Sequence, residues 1–377
     1  MHCTKTNVFL IQMVIGANLL VSGSAHALKS NISGQLSGWT IETYSQENYE
    51  NNTGLRYIPE LTIEQPISDD SFIDAEISLN GYMTTSSNNG EEDYDVELYR
   101  AKLRYATTQT ETIVGLQKIN FGPARLLRPL GWFDRLDPTD PLQLTDGVNA
   151  MRFKYVALNN ANFWLWVPYG NEDPKGYEVL PTASGNPELG GRLQYPIPRG
   201  ELAATIHSRS VDGSESSVSD YNENRIALDG RWDIGIGLWF ESVFQHQETT
   251  VFTYDWTKMI TIGMDYTLGL GNGVYVLLEH MTAVSSDKPF GWDAGEQISA
   301  FSLHYTFETV DSLKAIGYYS WGQKAYSQYL SWERTYDYLA FNLSLFYYPE
   351  ITENIYSLNQ SINREGYGGW LMIIFNH

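Results

Sequence analysis

The stretch 366-GYGGWLMIIFN-376 places Tyr367, Leu371, Ile373 and Phe375 on one side-chain parity and Gly366, Gly368, Trp370 and Asn376 on the other. A period of two marks a β-strand with two different faces. The pattern returns from Leu28 onward in segments of about ten residues, the length that crosses a bilayer as a tilted strand. In 72–83, Ile73, Ala75, Ile77, Leu79 and Met83 lie opposite Asp74, Glu76, Ser78 and Asn80. In 255–268, Trp256, Ile260, Ile262, Met264, Tyr266 and Leu268 lie opposite Thr257, Thr261, Asp265 and Thr267. In 337–347, Leu339, Phe341, Leu343, Leu345 and Tyr347 lie opposite Tyr338, Asn342 and Ser344. One face suits lipid and the other water. Hydrocarbon offers no partner to an unpaired N–H or C=O, so strands span it only as a closed barrel.

The first 27 residues read as an export signal: Lys5, the apolar run Val8 to Val21, and Ala25-His26-Ala27 as the cleavage site. The barrel is expected over 28–377. No later stretch is apolar enough for a spanning helix, and the mean hydropathy is −0.31, as half-polar strands require. The 26 Tyr and 11 Trp suit aromatic girdles at two membrane interfaces. Cys3 is the only cysteine, so the chain behind the signal has no disulfide and no thiolate chemistry. A net charge of −21 argues against nucleic acid as a partner.

Connections alternate between short and long. Short ones fall near 66–71, 107–110, 159–161, 198–200, 233–234, 269–272, 309–311 and 348–351. Long ones fall near 44–54, 85–94, 119–147, 169–187, 210–222, 248–254, 285–295, 323–334 and 360–365. Short periplasmic turns and long outer loops give about 18 strands with both termini on the periplasmic side. If the two least regular segments, 162–168 and 352–359, do not cross, the number is 16.

The longest loop, 119–147, carries Phe121, Leu126, Leu127, Leu130, Trp132, Phe133 and Leu136. Such a loop is poorly solvated outside the barrel and is expected to pack against the inner wall, the alternative being an external cap on its neighbours. Just before it, strand 95–106 sets Arg100, Lys102 and Arg104 on one face and Tyr99, Ala101, Leu103 and Tyr105 on the other. Together with Lys118, Arg125, Arg128 and Arg135 they concentrate basic charge, and Asp134, Asp137, Asp140 and Asp146 follow in the loop. Opposed charges across a constriction create a transverse field that filters ions and orients dipolar solutes. The same residues could instead pair with one another and pin the loop.

By these features the chain resembles the porin-like outer-membrane barrels of Gram-negative bacteria: export signal, alternating strands, girdles, loop order, a long third loop and a basic strand beside it. The resemblance implies passive diffusion of small polar solutes, contact with outer-membrane lipid and lipopolysaccharide, and no cofactor. It also implies that the barrel assembly machinery reads a terminal Phe of the C-terminal strand, a part that falls to Phe375, two places before the end. A homotrimer and a monomer both remain open, and the acidic third-loop motif of general porins is absent.

Other chemistries have less behind them. His207 beside Ser208, His280 beside Glu279, and His304 two places after Ser302 show no recognisable third partner, so an outer-membrane hydrolase is the third reading and the expected answer is no enzyme. Metal ligation by Asp134, Asp137 and Asp140, or by the tip Glu91, Glu92 and Asp93, is weaker than a solvated loop. The leading reading is a diffusion channel. Its runner-up is a structural or adhesive barrel plugged by loop 119–147. The basic cluster leans selectivity slightly toward anions.

Overall fold

The computed structural model describes residues 28–45, 48–87, 90, 92–214, 218–349 and 365–377. The signal lies outside them, as does the strand expected at 352–359. The described chain forms one antiparallel sheet of 18 strands. The first six are β1 (Lys29–Ser45), β2 (Asn48–Ser68), β3 (Ser71–Ser86), β4 (Glu92–Thr107), β5 (Thr110–Gln117) and β6 (Val148–Val156). Next come β7 (Asn162–Pro168), β8 (Leu189–Ile197), β9 (Gly200–Val211), β10 (Tyr221–Asp233), β11 (Gly237–Gln247) and β12 (Trp256–Leu268). The last six are β13 (Val274–Ser286), β14 (Ala294–Phe307), β15 (Asp311–Ser320), β16 (Ala325–Thr335), β17 (Leu339–Tyr348) and β18 (Gly366–Asn376). Every strand pairs with its sequence neighbours, and β1 closes the ring on β18 from Gln35↔Asn376 to Tyr44↔Tyr367. Closure leaves no edge strand to pair with another chain.

The total of 18 agrees with the sequence expectation, but one strand is not where the sequence placed it. Residues 323–334, read as a loop, hold β16, which a short turn at 336–338 joins to β17, while the turn expected at 348–351 lies partly outside the described residues. Alternation in β16 is blurred because Gln328 takes the outward parity of Tyr326 and Leu330, while the aromatic Tyr329 turns inward to Ser344, hydroxyl to hydroxyl at 2.8 Å. Tyr338 belongs to that turn and is exposed. The short segment 162–168 is a full member of the sheet as β7. The described residues of the loop expected at 44–54 are strand, and β3 and β4 reach into the one expected at 85–94 as far as Ser86 and Glu92, because β1 to β4 run on past the length a bilayer needs.

The outer face carries Ile77, Leu79, Ile260, Ile262, Leu343, Leu345, Leu371 and Ile373, all exposed. An apolar face on this scale is stable only against lipid. The inner face is not uniformly polar. Ile41, Tyr329, Phe346, Trp370, Met372 and Ile374 turn inward from β1 and β16 to β18 and form a buried cluster with Leu126 and Leu127 of loop 118–147. Burying each leucine is worth roughly 1.5–3 kcal/mol, which draws that loop across the lumen.

Candidate functional site

Loop 118–147, between β5 and β6, is held on the far wall by two carboxylates. Glu241 of β11 accepts the amides of Ala124 (2.8 Å) and Leu130 (3.0 Å). Glu279 of β13 accepts those of Arg125 (2.7 Å), Leu126 (2.9 Å) and Leu127 (2.6 Å), and the Trp239 indole (3.0 Å). A carboxylate offers about four lone-pair sites, so five amides that belong to no strand find their acceptors here. Gly122 adopts φ +94°, and a Cβ there would stand 2.3 Å from the Glu241 carboxylate, so only glycine permits this approach. The returning arm is fixed by Lys314 on the Pro138 carbonyl (2.7 Å) and by Arg100 on the Thr145 carbonyl (2.7 Å).

The sequence-derived residues scatter around this loop. A bulge opposite Ser78 and Leu79 lets Tyr99, expected to face lipid, turn inward with Arg100, whose guanidinium lies 3.9 Å from the Tyr99 ring centre. Below them Lys102 pairs with Glu76 at 2.7 Å, and Arg104 with Asp74 at 2.6 Å and Glu111 at 3.6 Å. Arg152 adds to Glu111 at 2.8 Å, so this inner half of the wall is a charge-compensated zigzag. Arg128 and Asp134 pair with each other, both buried. Arg135 donates to the carbonyls of Gly176 and Glu178, Arg125 stands 3.9 Å from Asp265, and Lys118 is exposed. Asp137 accepts from Thr139, and Asp140 from the amides of Leu142 and Leu144. The basic strand and the loop carboxylates therefore do not face each other as a pair of opposed rows.

Loop 169–188 is pinned behind them by a buried network. Glu178 pairs with Lys175, Arg209 and Arg225, while Glu223 pairs with Arg209 and Arg225. Glu188 accepts from Lys175 (2.8 Å) and His207 (3.0 Å). An indole N–H only donates, so Trp166 on His207 Nδ1 (3.2 Å) places the ring hydrogen on Nε2, toward Glu188. Burial opposes ionisation of Glu188, yet His207 and Lys175 together hold its carboxyl well below the ordinary range. His207 points inward and Ser208 outward, so these sequence neighbours form no pair.

The third loop and loop 169–188, together with inward residues of β1 to β4, β9 to β15 and β18, line a cavity of about 1610 Å³. Arg56 of β2 projects into it, 5.3 Å from the Trp39 ring centre and 5.7 Å from that of Tyr82. Gly54 makes room for this arrangement, since a Cβ there would stand 2.3 Å from the Trp39 ring. Arg56 is electrostatically coupled to Asp140 and Glu97. Burial raises the Asp140 carboxyl above the usual range against the pull of the Leu142 and Leu144 amides. Nine carboxylates line the cavity: Glu50, Glu97, Asp134, Asp137, Asp140, Asp146, Asp173, Glu178 and Glu223. Four guanidinium groups oppose them: Arg56, Arg128, Arg135 and Arg209. Sequence reading missed Arg56, Glu97, Glu241 and Glu279. The last two were visible only as carboxylates on the inward parity of apolar strands.

No family model matches the chain, and no curated protein does. Solved structures do. Acinetobacter baumannii OccAB4 superposes with a TM-score of 0.61 at 10% identity, covering 93% of this chain and 98% of its own. Pseudomonas aeruginosa OccK5 (OpdH) gives 0.57 at 11% identity, over 92% of this chain and 97% of its own. A Salmonella typhi OmpF complex with daunomycin gives 0.53 at 12% identity, over 92% and 97%. The chain has the all-β, closed-barrel fold of the porin-like outer-membrane channels.

Proposed function

We propose that the chain is an outer-membrane channel for passive diffusion of small hydrophilic solutes, narrowed by loop 118–147 and preferring cations. The observation that carries this reading is the cavity of about 1610 Å³ that the loop leaves inside the barrel, lined from nearly all round the wall. Barrels of this strand number are wide enough for an aqueous lumen. Asp134, Glu178 and Glu223 are neutralised in ion pairs, and the six other lining carboxylates, Glu50, Glu97, Asp137, Asp140, Asp146 and Asp173, outnumber Arg56 and Arg135 and set the sign of its potential. The sequence alone leaned toward anions, but Lys102, Arg104 and Arg128 each spend their charge on a carboxylate. Arg56, Glu97 and Asp140 are the residues that a passing solute meets at the narrowing. No covalent step and no cofactor enter this mechanism.

One feature favours the runner-up, a plugged barrel. Leu126 and Leu127 join an inner apolar cluster reaching Phe346 and Trp370, so the loop touches both sides of the lumen. Single-channel recording of the refolded chain in a planar bilayer under a salt gradient separates the two. Steady conductance with a cation-selective reversal potential is expected. A folded barrel that stays silent would overturn the channel reading in favour of the plug.

A further inference from the structure

We propose that Ser299 and His280 form a serine nucleophile and its base on the lipid-facing surface, acting on ester-linked membrane lipid. In sequence His280 stands beside Glu279. The alternation of β13 sends Glu279 into the lumen and His280 out, where it meets Ser299 of β14 directly across the ladder. His280 Nδ1 and Ser299 Oγ are 2.9 Å apart. The Trp321 indole donates to the same Oγ at 2.9 Å. Since an indole N–H cannot accept, the serine oxygen takes that bond and is left to direct its own hydrogen at the imidazole. That is the arrangement in which a hydroxyl passes its proton to a base.

The depth of the pair fits a lipid ester. Successive partners run Tyr44↔Tyr367↔Tyr347 on one side and Tyr326↔Tyr319↔Ser299↔His280 on the other, an aromatic run that we assign to the outer girdle. Tyr326 and Tyr347 join the two runs, with ring centres 5.9 Å apart. Aromatic girdles sit at headgroup level, where acyl esters and water meet. Beside Ser299 the outer surface is hollowed by a pocket of about 340 Å³ lined by Leu278, Phe301, Gly317, Tyr319 and Tyr326. Gly317 lets the Phe301 ring lie on the sheet, since a Cβ there would stand 2.2 Å from it. The hollow takes an acyl chain and presents its ester to Ser299.

The step balances with water as the only co-reactant. Ser299 Oγ adds to the acyl carbonyl carbon while its proton moves to His280. The acyl C–O bond then breaks, and His280 returns the proton to the leaving alcohol. Water, deprotonated by His280, cleaves the acyl-serine, releasing a fatty acid and restoring Ser299.

The test uses the full refolded barrel, with heat-modified gel mobility as the check of fold. A fluorophosphonate probe is expected to add to Ser299, located by peptide mass, and phosphatidylethanolamine vesicles are expected to release fatty acid. S299A abolishes both, H280A slows both at least tenfold, and added imidazole partly restores H280A. Channel conductance of S299A stays at the wild-type level, so failure here is distinct from failure of the channel reading. A folded wild-type barrel with no label at Ser299, labelling indifferent to H280A, or labelling without fatty-acid release would each overturn the proposal.

Discussion

Glu279 of β13 accepts the backbone amide of Leu127 at 2.6 Å, although the loop that carries Leu127 leaves the sheet from β5, eight strands away. With the Glu241 contacts this bond decides how far the loop crosses the lumen. Removing the carboxylate in E279A strands the buried amides of Leu126 and Leu127 and the part-buried amide of Arg125, at about 1–3 kcal/mol for each buried unmatched group. The loop should loosen, and single-channel traces should show larger and noisier conductance, more so in E241A/E279A. Unchanged traces would mean that the apolar cluster alone holds the loop.

Among the described residues no carboxylate lies within ion-pair distance of the Arg56 guanidinium, which faces the narrowing, so its removal should sharpen cation preference while E97Q and D140N blunt it. A charge interaction of about 1 kcal/mol in water corresponds to up to about a fivefold change in relative permeability. Reversal potentials under a salt gradient read the sign. A shift toward anions in R56A would contradict the assigned pathway.

Asp140 adds a pH dependence. Burial holds its carboxyl above the usual range, so the folded loop favours the neutral form, and that contribution to stability is present at low pH and lost as pH rises through the raised value. Cation preference should therefore begin to fall, on acidification, at a higher pH than an ordinary carboxylate allows. In D140N that early phase should be missing from the selectivity curve.

The anchor of loop 169–188 responds in the opposite sense. The Glu188 carboxyl is depressed, so its stabilisation is complete above the ordinary glutamate value of 4.5 and drains away as pH falls from there toward the depressed value. Protease cleavage within 169–188 should stay slow at neutral pH and accelerate only below that point. E188Q should be cleaved readily at neutral pH.

Arg192 and Asp229 form a bidentate pair with both side chains almost fully buried, at 2.6 and 2.8 Å. Breaking one partner leaves a buried charge, at about 3–5 kcal/mol. R192A should lower the guanidinium midpoint for unfolding from vesicles, and R192M/D229L should recover most of it. Equal midpoints for the single and the double variant would sink this account.

The local pattern of the chain settled the class of fold, because a period of two needs only each residue and its neighbours. Strand β18 and the segment 72–83 were legible for that reason, and so was the alternation of short and long connections. It failed at β16, where Gln328 and Tyr329 blur the two faces, and at Tyr99, where one bulge residue reverses the parity of everything before it.

What the sequence determined by itself is therefore a closed barrel with a long, apolar third loop and a basic strand beside it. The tertiary structure alone decided which charges remain free. Lys102 and Arg104 meet partners on β3 and β5, Arg56 is left facing Asp140, and His280 finds Ser299 rather than Glu279. Net electrostatics and proton transfer depend on distances across the ladder and the lumen. Those distances are set by register and loop path, which pair residues far apart in the chain and leave no periodic trace in it.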